Sequence, residues 1–157
     1  MFATFSFASL LKAILLAGLL AGLLDGAAAT LLFKLKGAKK PLTLFQYVAS
    51  AVYGKEAFAG GNKMIGLGLL FHLLIATAFT AFYFLIFPYA KWLDDYPLAG
   101  AVSYGIAVWV LMNLVIVPLS KATPRPFSLP MIVINMIILI VAIGVPAAYL
   151  ARSFYNR

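Results

Sequence analysis

The sequence predicts an all-α integral membrane protein: a bundle of four transmembrane helices with a short interfacial helix in its first long connection. Three observations carry this. The 157 residues are 65% hydrophobic and 10% charged, where soluble domains run at about 45–50% apolar and about 25% charged. The mean hydropathy is +1.06. The apolar residues fall into four continuous runs, each near the roughly 20 residues a helix needs to cross a hydrocarbon layer about 30 Å thick. A closed β-barrel would satisfy backbone groups in lipid equally well, but its strands alternate apolar and polar residues. These runs do not alternate, so helices are expected throughout a single membrane domain, 1–157.

The first span is expected over 13–33, between Lys12 and Lys34. Its Ala-rich "DGAAAT" looks like a small-residue cleavage site. The apolar run nevertheless continues to Phe33, longer than the roughly 7–15 residues of a signal-peptide core, so it reads as a retained span. The second is expected over 64–87, between Lys63 and the Pro88–Lys91 corner. The third covers 98–118, after Asp94, Asp95 and Pro97, and the fourth covers 130–150, ending at Arg152.

Two connections are short. "PYAKWLDDYP" at 88–97 has turn-forming prolines and the Tyr and Trp typical of a headgroup belt. "LSKATPRPFSL" at 119–129 carries two prolines and two cations. The connection at 34–63 is longer. Within it, Phe45, Val48, Ala49 and Val52 recur at helical spacing, and Gly54 and Gly60–Gly61 supply stops. A short helix over 42–54, lying in the interface, is expected there, with an ordered loop as the alternative. "KPLTL" at 40–44 and "RPFSL" at 125–129 share a cation-Pro-apolar-hydroxyl-Leu pattern after the first and third spans, as two duplicated halves would.

Cations set the topology. Connections 34–63 and 119–129 share one side and hold eight: Lys34, Lys36, Lys39, Lys40, Lys55, Lys63, Lys121 and Arg125. The other side holds four: Lys12, Lys91, Arg152 and Arg157. The positive-inside rule places the two basic connections in the cytoplasm and both termini outside. The net charge of +8 therefore points to anionic lipid headgroups, and no nucleic-acid partner is expected. With no cysteine, one His and four acids, disulfides and thiolate chemistry are excluded, and neither a metal site nor a cofactor is expected.

The spans contain four strongly polar side chains, one per helix. Asp25 lies eight residues before Phe33, and His72 lies eight residues after Met64. At 1.5 Å per residue both sit about 12 Å in from the basic side. Asn113 lies five residues before Pro118, and Asn135 five after Pro130. All four are expected in one slab. Polar groups in a membrane are costly and turn towards other helices or water. An Asp and a His at matching depth on consecutive antiparallel helices offset each other's desolvation. Such a cluster serves either as an interhelical lock or as a proton or ion site, because His titrates near neutrality. No nucleophile accompanies the pair. Ser103, Ser120 and Ser128 stand in no nucleophile-elbow motif, so enzyme chemistry has little support.

Packing signals complete the reading. Gly18, Gly22 and Gly26 form a small-residue stripe that admits another backbone closely, with Asp25 at its border. Gly66, Gly68, Gly100 and Gly105 point to further close approaches. Pro146 is expected to kink the fourth span by freeing the Ala142 carbonyl.

These features together resemble a known family. "GLGLLFHLLIATAFTAFYFLIFP" with its single intramembrane His, "GAVSYGIAVWVLMNLVIVPLS", the turn containing "PFSLP" and the closing "GVPAAYLAR" resemble the YagU-like group of small bacterial inner-membrane proteins. "FQYVASAVYGKEAFAGG", leading into the His helix, is similar as well. The likeness extends over about residues 10–152. It departs in the last span, where the group leads one to expect a His near Asn135–Met136, and in lacking some relatives' N-terminal cations. The resemblance implies a bacterial inner-membrane location and a link to acid tolerance. The expectation for function is a non-enzymatic structural, accessory or oligomeric membrane component. The alternative is a small proton- or ion-coupled transporter built on Asp25 and His72, with Asn113 and Asn135 lining the site.

Overall fold

The structure, a computed structural model, describes residues 6–124, 126 and 128–156. Among these, 88% are helical and none lies in a strand. Helix α1 spans Phe7–Leu35. It begins at Ser6, whose hydroxyl oxygen accepts the Ser9 N–H at 3.2 Å, satisfying one of the orphan donors of a helix start. It ends in a Schellman turn: Gly37, at φ 90°, donates to the Lys34 carbonyl and Ala38 donates to that of Phe33. Only glycine takes this left-handed position freely.

Helix α2, Leu44–Tyr53, is flanked by 3-10 turns at Pro41–Thr43 and Gly54–Phe58. Helix α3 spans Gly61–Ile86 and the short α4 spans Lys91–Asp95. Helix α5, Pro97–Leu111, passes through a π turn at Met112–Ile116 into α6, Val117–Leu119. Helix α7, Leu129–Leu139, passes through a second π turn at Ile140–Gly144 into α8, Val145–Tyr155.

Four of these stretches are long and apolar enough to cross a bilayer: Phe7–Leu35, Gly61–Tyr89, Pro97–Leu119 and Leu129–Tyr155. Only 22–28% of each apolar window is buried within the chain. The outward surface is therefore apolar, as at the exposed Leu15, Leu16, Leu19 and Leu20 of α1. A helix hydrophobic all round needs a hydrocarbon surrounding, and the chain is a multi-pass membrane protein. Each span overruns its expected bounds, because the helix continues past the hydrocarbon edge where cations such as Lys12 and Arg152 reach water.

The bundle is tight at one end and open at the other. The core joins Ile14, Ala17 and Ala21 of α1, Tyr83, Phe84 and Phe87 at the end of the second span, Ala101, Tyr104 and Val108 of α5, and Ile143 through Tyr155 of the last span. All belong to the half of the membrane away from the basic connections. In the basic half, the Met112–Ile116 turn and the whole of α7 bury no residue. There α2 fills part of the opening. It buries Phe45, Gln46, Ala49 and Ser50 against α3, whereas Val52, expected on that face, is 47% exposed. Helix α2 also ties the two basic connections together: the Lys121 N–H donates to the Ala51 carbonyl and the Tyr47 hydroxyl donates to that of Thr123 at 3.1 Å.

The distortion expected at Pro146 takes the form of a π turn. The Val145 N–H bonds to the Ile140 carbonyl five residues back, which opens the ring of the helix ahead of the proline. Pro118, not singled out from the sequence, follows the same device, with the Val117 N–H on the Met112 carbonyl. A proline clashes with the carbonyl four residues earlier, and widening the preceding turn relieves that clash. The second π turn also sits at the α5 crossing, where a side chain on Gly105 would strike the Ile140 backbone and one on Gly144 would strike the Ala101 carbonyl. Of the expected repeat, Arg125 and Phe127 lie outside the described residues, as does Arg157.

Candidate functional site

The glycine stripe of α1 faces α3. A Cβ on Gly18 would lie 2.6 Å from the Thr77 Cα, and one on Gly22 would lie 2.9 Å from the Leu73 side chain. Gly26 completes the row: its missing Cβ leaves room for the His72 ring, whose Nε2 would be 3.3 Å away, and for the Phe45 ring edge at 3.5 Å. The seam therefore brings α1 and α3 into backbone contact and holds the only His of the chain against α1.

His72 Nε2 lies 3.0 Å from the Gly22 carbonyl. A carbonyl oxygen only accepts, so Nε2 carries the hydrogen and donates it. That carbonyl has a second lone pair for this bond beyond the one used in its own helix. The Asp25 carboxyl is 3.6 Å from the same nitrogen, beyond hydrogen-bond range, so the two side chains lie side by side with no hydrogen bond between them. Both side chains are 14% exposed. Phe45 of α2 closes the site from the third side, its ring edge-on to the imidazole at a centroid distance of 5.6 Å. Phe45 comes this near because Gly68 of α3 has no side chain: a Cβ there would strike the Phe45 carbonyl. Residues from α1, α2 and α3 thus meet at His72.

Asn113 and Asn135 do not join this group. Both line a separate cleft on the basic side, together with Lys36, Tyr47, Trp109 and Ile132. The Asn113 Nδ2 donates to the Trp109 carbonyl of its own helix at 2.9 Å. The four residues expected in one slab are therefore divided laterally between the His72 site and this cleft. Residue counting sets depth in the membrane but leaves the azimuth around each helix free.

Other expected sites sort clearly. A Cβ on Gly66 would meet nothing within 4 Å, so that glycine makes no close approach. Gly100 packs beneath the Tyr83 hydroxyl and Leu93. The Tyr104 hydroxyl donates to the Phe79 carbonyl at 2.6 Å, and the Tyr155 hydroxyl to that of Phe84 at 3.0 Å, stapling the second span to the third and fourth. Both tyrosines escaped sequence reasoning, because an isolated Tyr in an apolar run gives no sign of its partner. At the far end, the Asp94 carboxylate accepts from Asn156 Nδ2 at 2.7 Å and from Arg152 Nε at 3.0 Å. The Asn156 hydrogen bond first, then Arg152, hold its carboxyl below the ordinary carboxylate value. No group of three or more metal-ligating side chains occurs among the described residues.

Comparison of the chain with protein-family models, curated proteins and solved structures gives no match.

Proposed function

We propose that this is a non-enzymatic component of the bacterial cytoplasmic membrane, an accessory or oligomeric subunit, in which Asp25 and His72 form a lock between helices. The observation that carries this is the set of partners around His72. Its donor is taken up by the Gly22 carbonyl at 3.0 Å, the Asp25 carboxyl lies 3.6 Å away, and Phe45 and the bare face of Gly26 enclose the ring. An imidazole whose donor is taken up by a backbone carbonyl of the neighbouring helix is suited to fixing geometry. The basic connections 34–63 and 119–129 are assigned to the cytoplasm on their cations, and the likeness to the YagU-like group supports the inner-membrane setting and a link to acid tolerance.

The runner-up is proton- or ion-linked transport through the same pair, favoured by the ability of a membrane Asp and His to share and release a proton. Reconstitution separates the two. Liposomes holding the wild-type protein and a pH-sensitive dye are expected to show no protein-dependent proton flux across an imposed gradient. Flux that Asp25→Asn abolishes while helicity and oligomeric state are kept would overturn the lock in favour of transport.

A further inference from the structure

We infer that the cleft on the basic side is a binding site for an anionic membrane phospholipid. The cleft encloses about 480 Å³, within the range of roughly 300–1,000 Å³ typical of small-molecule sites. Its shape follows from the open half of the bundle. The end of α1 and helix α2 form one wall, α7 forms another, and the first π turn lies at the base. Lys36 stands just beyond the end of α1, at headgroup level. Asn113 and Asn135 lie about 8 Å deeper by helix rise. The remaining lining is apolar apart from Tyr47, whose hydroxyl is already given to Thr123.

Two observations select the occupant. The first is charge. Lys34, Lys36, Lys39 and Lys40 are all exposed, none takes part in an ion pair among the described residues, and no carboxylate lines the cleft. Of the four, only Lys36 lines the cleft and meets an anionic headgroup there directly; the other three stand in water, where salt screens them. A second copy of this chain would bring the same lysines to the same place, so like charge opposes self-association here. The second is the amide of Asn135. It is exposed, makes no hydrogen bond within the described residues, and sits at a depth where water is scarce, which is costly for a donor with no acceptor. A glycerophospholipid fits both demands at once. Its phosphate lies against Lys36, its ester oxygens reach the depth of the asparagines and accept from Asn135 Nδ2, and its first methylenes pack on Ile132 and Trp109. The inference rests on the spans being in a bilayer, and it is independent of the role given to Asp25 and His72.

Trp109 in the lining supplies the reporter. The chain has two tryptophans, so Trp92→Phe leaves Trp109 alone. The protein is reconstituted in phosphatidylcholine vesicles containing increasing fractions of phosphatidylglycerol or phosphatidylcholine brominated along the acyl chains, and quenching of Trp109 is followed. Half-maximal quenching is expected at about fivefold less brominated phosphatidylglycerol than brominated phosphatidylcholine, as one surface lysine confers. Lys36→Gln should remove that preference, Lys36→Arg should keep it, and Lys12→Gln on the opposite side should leave it unchanged. Ala29→Phe, which narrows the cleft without altering charge, should weaken quenching by both lipids. Equal quenching by the two lipids in the parent protein overturns the inference, as does a preference that survives Lys36→Gln. Trp109 shielded from both lipids overturns it too, because the cleft is then closed by protein.

Discussion

At the scale of single residues, the glycines of α1 separate close approach from mere smallness. Gly18 has the Thr77 backbone where its Cβ would be, and backbone cannot swing aside as a flexible side chain can. Gly18→Val should therefore push α1 from α3 and destabilise the protein by about 1–3 kcal/mol, the range for overpacking a filled site. Gly66→Ala, with open space around it, should be neutral or slightly stabilising by helix propensity. Thermal unfolding in one detergent, monitored by helicity, compares the two. The sequence distinguishes these glycines only in part: the four-residue spacing of Gly18, Gly22 and Gly26 marks a stripe, whereas nothing in "GLGLL" tells Gly66 from Gly68. Asp25 and His72 were legible as a pair because both could be counted from the same membrane face. That Asn113 and Asn135 turn to a separate cleft depends on helix rotation, which no count of residues supplies.

At the scale of elements, the continuous apolar runs made the four spans legible, and the glycine stops framed α2. The π turns were not. Pro146 signals a distortion, but its form depends on how closely α5 meets the last span at Gly105 and Gly144. The face of α2 is legible in part: Phe45 and Ala49 are buried as expected, but Gln46 and Ser50 are buried too and Val52 is not, because both polar side chains find backbone acceptors, Gln46 at the Gly61 carbonyl. Ser50 donates to the Tyr47 carbonyl at 2.6 Å, so its burial carries little cost. The last turn of α8 is tied to α4 through Asp94, and this tie is pH-dependent. The Asp94 carboxyl is held below its ordinary value of 3.8 in the folded protein. The stability it contributes is thus fully present above that ordinary value and is lost as pH falls through the lower folded value. The prediction is that acidification from pH 5 towards about pH 2 loosens the C-terminal turn in wild type, seen as lower amide protection at 153–156 relative to the intrinsic exchange rate at each pH, and that Asp94→Asn flattens this dependence. A wild-type exchange profile matching that of Asp94→Asn across the range contradicts it.

At the scale of the whole molecule, the asymmetry between an aromatic half that carries the core and an open basic half organises everything else. The tight half fixes the four spans. The open half holds α2, the Asp25–His72 pair and the cleft. The orientation proposed from the cations is directly measurable, because the chain has no cysteine. A cysteine introduced at Lys39 should resist a membrane-impermeant maleimide in intact cells and react in lysed ones, while one at Tyr89 should react in both. The reverse pattern would invert the topology without altering the fold. The central claim is that Asp25 and His72 hold the first span to the second, and a double-mutant cycle on unfolding in detergent tests it most directly. Asp25→Asn, His72→Asn and the double variant are compared with wild type. The lock predicts that each single change destabilises and that the pair is coupled by about 0.5–2 kcal/mol, the scale of interhelical polar contacts in membranes. Single variants as stable as wild type, or effects that add within about 0.3 kcal/mol, would contradict it.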